Sequence, residues 1–111
     1  MKKIGIPNKI TKIDYYTFAR CGSLTNVVIP KNIIKIEYGA FYECTALESV
    51  SILHDGIEIK DSAFEKCLSL ENVTIPSRFT TLEGDDIFKQ CPRLVIYGRR
   101  ISDIHNSLST T

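Results

Sequence analysis

The cysteines are the residues of this chain with the widest chemical potential, because thiolates can ligate zinc, form disulfides or attack a substrate. They recur 23, 23 and 24 residues apart, as Cys21, Cys44, Cys67 and Cys91. A zinc site usually draws its ligands from close pairs such as Cys-x-x-Cys, and this spacing offers none. The two histidines, His54 and His105, stand in no motif that joins a base to a nucleophile. The sequence therefore predicts a protein that is not an enzyme and has no catalytic, metal or cofactor-binding site.

Each cysteine stands three residues after a phenylalanine, and the pair recurs along the chain at Phe18, Phe41, Phe64 and Phe88. Self-similarity at a period of about 23 residues predicts a stack of similar coils. In such a stack, successive thiols point the same way from neighbouring coils, roughly 5 Å apart. We therefore interpret the cysteines as a column of buried thiols that pack as small hydrophobes. A disulfide or a metal site is the less favoured alternative.

One strand is predicted in each coil. Apolar columns on the same period read Leu-x-x-Val-x-Ile-Pro, as in Leu24, Val27, Ile29 and Pro30. Val and Ile two residues apart, with a polar or small residue between them, are typical of a short half-buried strand. Strands that recur once per coil must pair in parallel. The closing coil, residues 91–98, is predicted to break this strand pattern.

A second apolar element follows each strand, for example Ile33 and Ile36. In the third coil Gly56 takes the first of these positions, and Ile57 is predicted to substitute for it. The next segment, such as residues 39–44, has apolar residues three apart. This spacing predicts one turn of 3₁₀ or α helix.

Composition and charge limit the classes of function. The 111 residues suit one domain, and the hydrophobic fraction of 43% is ordinary for a soluble protein. A net charge of +1 gives no reason to expect nucleic acid as a partner, and no apolar run approaches the ~20 residues of a membrane span. Met1-Lys2-Lys3 resembles the basic start of a signal peptide, but the apolar stretch that must follow is missing. A cytoplasmic protein and a piece of a longer exported protein are both compatible with this pattern.

The columns as a whole resemble the BspA-like, or Treponema-type, leucine-rich repeats. The second coil carries the pattern almost throughout, in Leu24, Val27, Ile29, Pro30, Ile33, Ile36, Ala40, Phe41 and Cys44. The resemblance implies an α/β fold: a right-handed solenoid of about four coils of 23 residues, with a parallel β-sheet on one face and short helical turns. The repeat array covers residues 1–98, and residues 99–111 are predicted to form a C-terminal cap helix and tail.

The resemblance also implies a function. Members of the family suggest a non-catalytic protein-binding module used in surface adhesion or in attachment between host and microbe, at the cell surface or secreted. The alternative is an intracellular scaffold or self-assembling interaction domain in the cytoplasm. The first predicted strand, Met1–Pro7, has no polar cap before it. Homo-oligomerisation through this uncapped coil is therefore a further prediction.

Two surfaces are candidates for contact with a protein or glycan ligand. The first is a set of tyrosines that are close together in the repeat, since exposed tyrosines often anchor interfaces: Tyr15, Tyr16, Tyr38 and Tyr42. A ladder that merely shields the turn is the alternative interpretation of these tyrosines. The second candidate is the outward face of the predicted strands, whose small uncharged side chains suit broad contact: Asn26, Val28, Ser49, Ser51, Asn72 and Thr74.

Overall fold

The chain forms a parallel β-solenoid of about four turns. The computed structural model describes residues 4–54, 56–75 and 80–98. In chain order these residues contain β1 (Lys12–Ile13), β2 (Asn26–Ile29), β3 (Lys35–Ile36), β4 (Ser49–Ile52), β5 (Glu58–Ile59), β6 (Asn72–Ile75), β7 (Thr81–Leu82) and β8 (Val95–Gly98). The even-numbered strands form one parallel sheet, the long sheet, and the odd-numbered strands form another, the short sheet. The second, third and fourth coils thus contribute one strand to each sheet, whereas the described residues of the first coil contribute only β1 and those of the closing coil only β8. This arrangement confirms the predicted stack and its parallel pairing. The right-handed sense stays a prediction.

The long sheet supplies one wall of the core. Its register joins equivalent residues of successive coils, so that a single inward column contains Val27, Val50, Val73 and Ile96. All four side chains are buried. Because strand side chains alternate between the two faces, each Val-x-Ile pair sends two side chains inward. Full burial of each contributes roughly 1.5–3 kcal/mol.

β8 continues the long sheet, so the predicted break of the strand pattern in the closing coil is wrong. All four of its residues pair with β6. The closing coil has one residue between Leu94 and its inward Ile96, whereas the third coil has two between Leu70 and Val73. The register of β8 is therefore set by its hydrogen bonds to β6 and by the burial of Ile96. The spacing from Leu94 alone would place the strand one residue too late.

The second apolar element of each coil is a strand of only two residues. Its inward side chains align across the coils as Ile13, Ile36, Ile59 and Leu82. In the third coil, Ile57 is fully buried, which confirms that it substitutes for the residue missing at Gly56. The equivalent position in the first coil is less protected, since Ile10 is 41% exposed. The short sheet forms a second wall of the core. Turns, and no helix, complete each coil in the described residues.

The described residues contain no helix, so the prediction of short helical turns is wrong. In the second coil, every other N–H between residues 39 and 44 donates to the carbonyl three residues earlier, at 3.0–3.3 Å. The N–H groups in between, those of Gly39, Phe41 and Glu43, donate to the third coil at 2.8–3.3 Å. A helix would need all of these donors for itself. The ladder between coils therefore replaces the helix with consecutive turns.

These turns place a non-glycine residue in the left-handed region two positions after each phenylalanine. The φ angles lie between 55° and 63° at Arg20, Glu43, Lys66 and Gln90. Each such residue costs about 1–2 kcal/mol. The conformation directs the Arg20 N–H to the Tyr42 carbonyl of the next coil at 2.7 Å. A hydrogen bond of this kind returns about 0.5–1.5 kcal/mol.

Phenylalanines and cysteines form two continuous columns inside the stack. Successive phenylalanine rings lie 5.2–5.7 Å apart between centroids, with their planes within 18° of parallel. The cysteines are free thiols. Three of them donate from Sγ to the phenylalanine carbonyl of the coil before, at 3.0 Å for Cys44, 3.2 Å for Cys67 and 3.1 Å for Cys91. The predicted column of buried thiols is confirmed, most fully at Cys44 and Cys67, which are 0% exposed.

Two predictions fall at the ends of the chain. The cap helix and tail at residues 99–111 lie outside the described residues. The first strand was predicted over Met1–Pro7, and over residues 4–7, which the structure describes, this prediction is wrong. Residues 4–7 form no strand, although Ile4 and Ile6 pack against the core.

Candidate partner-binding surfaces

The turn side of the first two coils carries a cluster of aromatic side chains, the tyrosine patch, made of Tyr15, Tyr16, Tyr38 and Tyr42. The Tyr16 ring lies 5.6 Å from Tyr38 and 6.4 Å from Tyr42, between centroids, and is nearly perpendicular to both. Edge-to-face packing of this kind is favourable for aromatic rings. Tyr15 is the most exposed member, at 63%. The structure thus brings three of the four predicted tyrosines into contact and leaves all four accessible to some degree.

Gly39 makes room for the patch. It occupies the position in the second coil that Tyr16 occupies in the first, and both have positive φ, 65° and 54°. A Cβ atom on Gly39 would stand 2.5 Å from Cε1 of Tyr16. Only glycine therefore lets the Tyr16 ring lie across the second coil and reach its two partners.

Two cations border the patch. The Arg20 guanidinium and the Lys66 ammonium each lie 5.6 Å from the centre of the Tyr42 ring, within the range of a cation–π contact. Arg20 also donates from Nε to Oε1 of Glu43 at 2.8 Å. The contact with Tyr42 raises the pKa of Lys66, which keeps it charged. Desolvation and the nearby Tyr38 raise the pKa of Tyr16, so the phenol is neutral at pH 7.

A shallow groove of about 380 Å³ continues from the patch towards the last coil. Its lining comes from three coils: Glu43, Thr45, Lys66, Leu68, Gln90 and Pro92. Leu68, which is 50% exposed, gives the groove an apolar surface. Because the groove is open and shallow, it suits contact with a macromolecule more than enclosure of a small molecule.

The outward side of the long sheet is the second surface, the sheet face. Two rows of side chains cross its strands: Asn26, Ser49, Asn72 and Val95 in one row, and Val28, Ser51, Thr74 and Tyr97 in the other. The six residues predicted from the sequence thus do share one face. Val95 and Tyr97, each about half exposed, were missed. Counting 23 residues from Asn72 and Thr74 would have found them, but the prediction ended the strand pattern one coil too early.

Hydrogen bonding within the sheet face links neighbouring coils. The Ser49 hydroxyl donates to Oδ1 of Asn26 at 2.5 Å, and Nδ2 of Asn26 donates to the Thr25 hydroxyl at 3.1 Å. None of the eight side chains in the two rows is charged. The face is therefore flat, neutral and rich in hydroxyl and amide groups.

Three of the four thiols are poorly suited to nucleophilic chemistry because their pKa is raised, and Cys44, whose pKa the hydrogen bond with Cys67 lowers, is fully buried. Burial raises the pKa of Cys91 to about 11 and raises that of Cys21 as well. The hydrogen bond with Cys44 and burial both raise the pKa of Cys67. Thiols of this kind are protonated at neutral pH, and thiolate is the reactive form. Among the described residues, no three histidine, cysteine or acidic side chains converge as metal ligands.

Nor do the described residues include a helix with the length and apolar character required to cross a bilayer.

Two solved structures share this fold. A leucine-rich cell surface protein from Faecalibacterium prausnitzii A2-165 superposes with a TM-score of 0.64 and is 26% identical. A leucine-rich repeat protein from Bacteroides ovatus ATCC 8483 superposes over 91% of this chain with a TM-score of 0.60; at 22% identity it shows the fold alone. The chain is covered completely by the first comparison, yet it spans only 35% and 34% of the two proteins. It therefore corresponds to about a third of such proteins.

Sequence comparison agrees with the structural one. Comparison with curated proteins found no match. The family model described as "BspA type Leucine rich repeat region (6 copies)" matches residues 1–95, which include every phenylalanine and cysteine of the two core columns. Since this match spans most of the chain, the protein belongs to the BspA-type leucine-rich repeat family.

Proposed function

We propose that this protein is a non-catalytic protein-binding module and that the tyrosine patch is its main contact surface. The observation that carries the proposal is the packing of Tyr16 against Tyr38 and Tyr42. Rings held by their neighbours lose little conformational entropy on binding, which favours affinity. Tyrosine and arginine are also the residue types enriched among interface hot spots.

The cellular setting of this binding is a separate step. One similar protein is described as a leucine-rich cell surface protein, and the family resemblance implies adhesion. We therefore place the module at the bacterial surface or outside the cell, where it would attach the cell to host proteins or to other microbes. This step rests on analogy between folds, whereas the tyrosine patch is a property of this chain.

The binding proposal is tested with a panel of purified extracellular-matrix proteins immobilised on a sensor surface. The protein is compared with the variants Tyr16→Ala and Tyr38→Ala. We expect each variant to weaken binding to any captured matrix protein at least about tenfold, which corresponds to about 1.4 kcal/mol. Tyr97→Ala is the matched control, because Tyr97 is half exposed but belongs to the sheet face.

Two outcomes would contradict the binding proposal. If all three variants bind as tightly as the parent protein, the tyrosine patch is not part of the interface. A panel without any captured protein would remove the matrix proteins as ligands. Beads coated with the protein and incubated with epithelial cells then test attachment directly, with the Tyr16→Ala protein as the negative control.

A second candidate function is self-association through the outer side of the first coil. In the described part of the chain, the carbonyls of Thr17 and Ala19 accept no backbone hydrogen bond, whereas the equivalent carbonyls of Ala40 and Tyr42 accept one each. Phe18, only half buried, lies beside these carbonyls, and an open groove adjoins it. Unpaired carbonyls beside apolar surface favour the addition of another chain. This would suit the intracellular scaffold that is the alternative to adhesion.

Light scattering over a wide range of protein concentration tests the second candidate. We expect a mass that rises with concentration and falls back to the monomer in the variant Ile10→Lys, since Ile10 borders this end and is 41% exposed. A monomer at every concentration would count against self-association. That result would leave the tyrosine patch unaffected.

A further inference from the structure

The sheet face differs from the rest of the molecular surface in having no charge. Charged residues make up 24% of the chain, yet all eight outward positions of the four long strands are neutral. Glu71, an acid at the border of the face, forms an ion pair with Arg93 at 3.9 Å. Protein interfaces are normally bordered by charges that steer and select the partner. A neutral surface of this kind favours a neutral partner.

The polar groups of the sheet face are regularly spaced. Because neighbouring strands lie about 4.7–4.9 Å apart, each row repeats a hydroxyl or amide group at that interval along the solenoid axis. In the first row these groups belong to Asn26, Ser49 and Asn72, and in the second row to Ser51 and Thr74. One sugar ring with its linkage in an extended β-linked chain has a similar length. Successive sugars could therefore meet equivalent groups on successive coils.

The chemistry of the two rows also matches a sugar. Hydroxyl and amide side chains both donate and accept hydrogen bonds, as sugar hydroxyls do. Tyr97 is half exposed at the end of the second row, directly beside Thr74 in the register. An aromatic ring in this place offers a flat apolar surface against which the C–H face of a sugar can pack. Val28 and Val95, each about half exposed, extend that apolar surface.

We propose that the sheet face is a binding site for a neutral, extended β-linked polysaccharide that runs along the solenoid axis. The site is separate from the tyrosine patch, so it does not depend on the function proposed above. The site is flat and has no enclosing cavity. The affinity for a short oligosaccharide is accordingly low, with a Kd on the order of 1 mM, and longer chains bind more tightly because they meet more coils.

The probe is a β-1,4-linked glucose hexamer added to isotope-labelled protein, with amide shifts recorded by NMR. We expect shift changes that saturate, that concentrate in β2, β4, β6 and β8, and that persist when the salt concentration is raised, because no charge takes part. Tyr97→Ala and Asn72→Ala should each weaken binding at least about fivefold. Tyr97→Phe, which keeps the ring, should bind nearly as well as the parent. Tyr15→Ala is the control on the tyrosine patch.

Several results would overturn the proposal. If neither the glucose hexamer nor the corresponding N-acetylglucosamine hexamer changes the amide shifts, neutral β-1,4-linked chains are excluded as ligands. Tighter binding of an acidic uronate oligosaccharide, lost at high salt, would show that charge governs recognition. Shifts centred on Tyr16 and Tyr38 would place any sugar on the tyrosine patch instead. Because Tyr97 and Asn72 are exposed, circular dichroism should show that these variants keep the fold.

Discussion

Phe41 gives the sharpest test of the stacked columns. Its ring is 0% exposed and lies between Phe18, at 5.3 Å, and Phe64, at 5.2 Å, between centroids. Truncation of a buried phenylalanine to alanine costs about 3–5 kcal/mol. Each aromatic pair is worth about 0.5–1.5 kcal/mol beyond the area it buries. Since Phe41→Ala removes two pairs, we expect a loss of about 4–5 kcal/mol in the free energy of unfolding.

Phe18→Ala is the matched comparison. The same side chain is removed, but Phe18 is only half buried, and the ring contacts in the described part of the chain give it one phenylalanine partner. We expect a smaller loss, about 2–3 kcal/mol. Urea unfolding followed by circular dichroism and by tyrosine fluorescence measures both, and coincident transitions justify a two-state analysis. At roughly 4 °C per kcal/mol for a domain slightly above 100 residues, Phe41→Ala should lower the melting midpoint by about 16–20 °C.

A loss for Phe41→Ala that is no greater than the loss for Phe18→Ala would refute the reasoning, since the two sites would then be equally buried and equally stacked. If Phe41→Ala fails to fold, Phe41→Leu keeps the apolar volume and removes only the ring contacts. It should cost about 1–3 kcal/mol. An unchanged midpoint in Phe41→Leu would show that stacking of the rings contributes nothing.

Two further predictions concern a glycine and a thiol. Gly39→Ala should cost about 1–2 kcal/mol in urea unfolding, since the new Cβ meets the Tyr16 ring and φ is 65°. Gly22→Ala, where a Cβ meets open space, should stay within about 0.5 kcal/mol, and equal losses at the two sites would contradict this account. The pKa of Cys91 is raised to about 11, so between about pH 9 and 11 the unfolded chain loses a proton that the folded chain keeps. Stability should therefore fall as pH rises through this window, and Cys91→Ala should show a smaller fall; identical pH profiles would show that Cys91 titrates normally.

The tyrosine patch could be predicted only in part. The repeat places Tyr15 and Tyr38 at the same position of adjacent coils, and this was visible in the sequence. The contacts that Tyr16 makes were not visible, because they depend on a left-handed backbone and on the space above Gly39. The same limit applies to Lys66, which reaches the Tyr42 ring from the next coil. Long side chains can cross between coils in several directions, and the period does not say which one they take.

The sequence by itself determined the columns of aligned side chains inside the stack. A period of 23 residues places like side chains above one another, and burial then requires that phenylalanines, thiols and inward Val and Ile residues meet their counterparts. Tertiary structure alone decided how each coil turns. Apolar residues three apart fit a helical turn and consecutive turns equally well. The choice depends on carbonyls of the next coil, which take the N–H groups of Gly39, Phe41 and Glu43. Competition for these donors involves residues some 20 positions away, so no local pattern encodes its outcome.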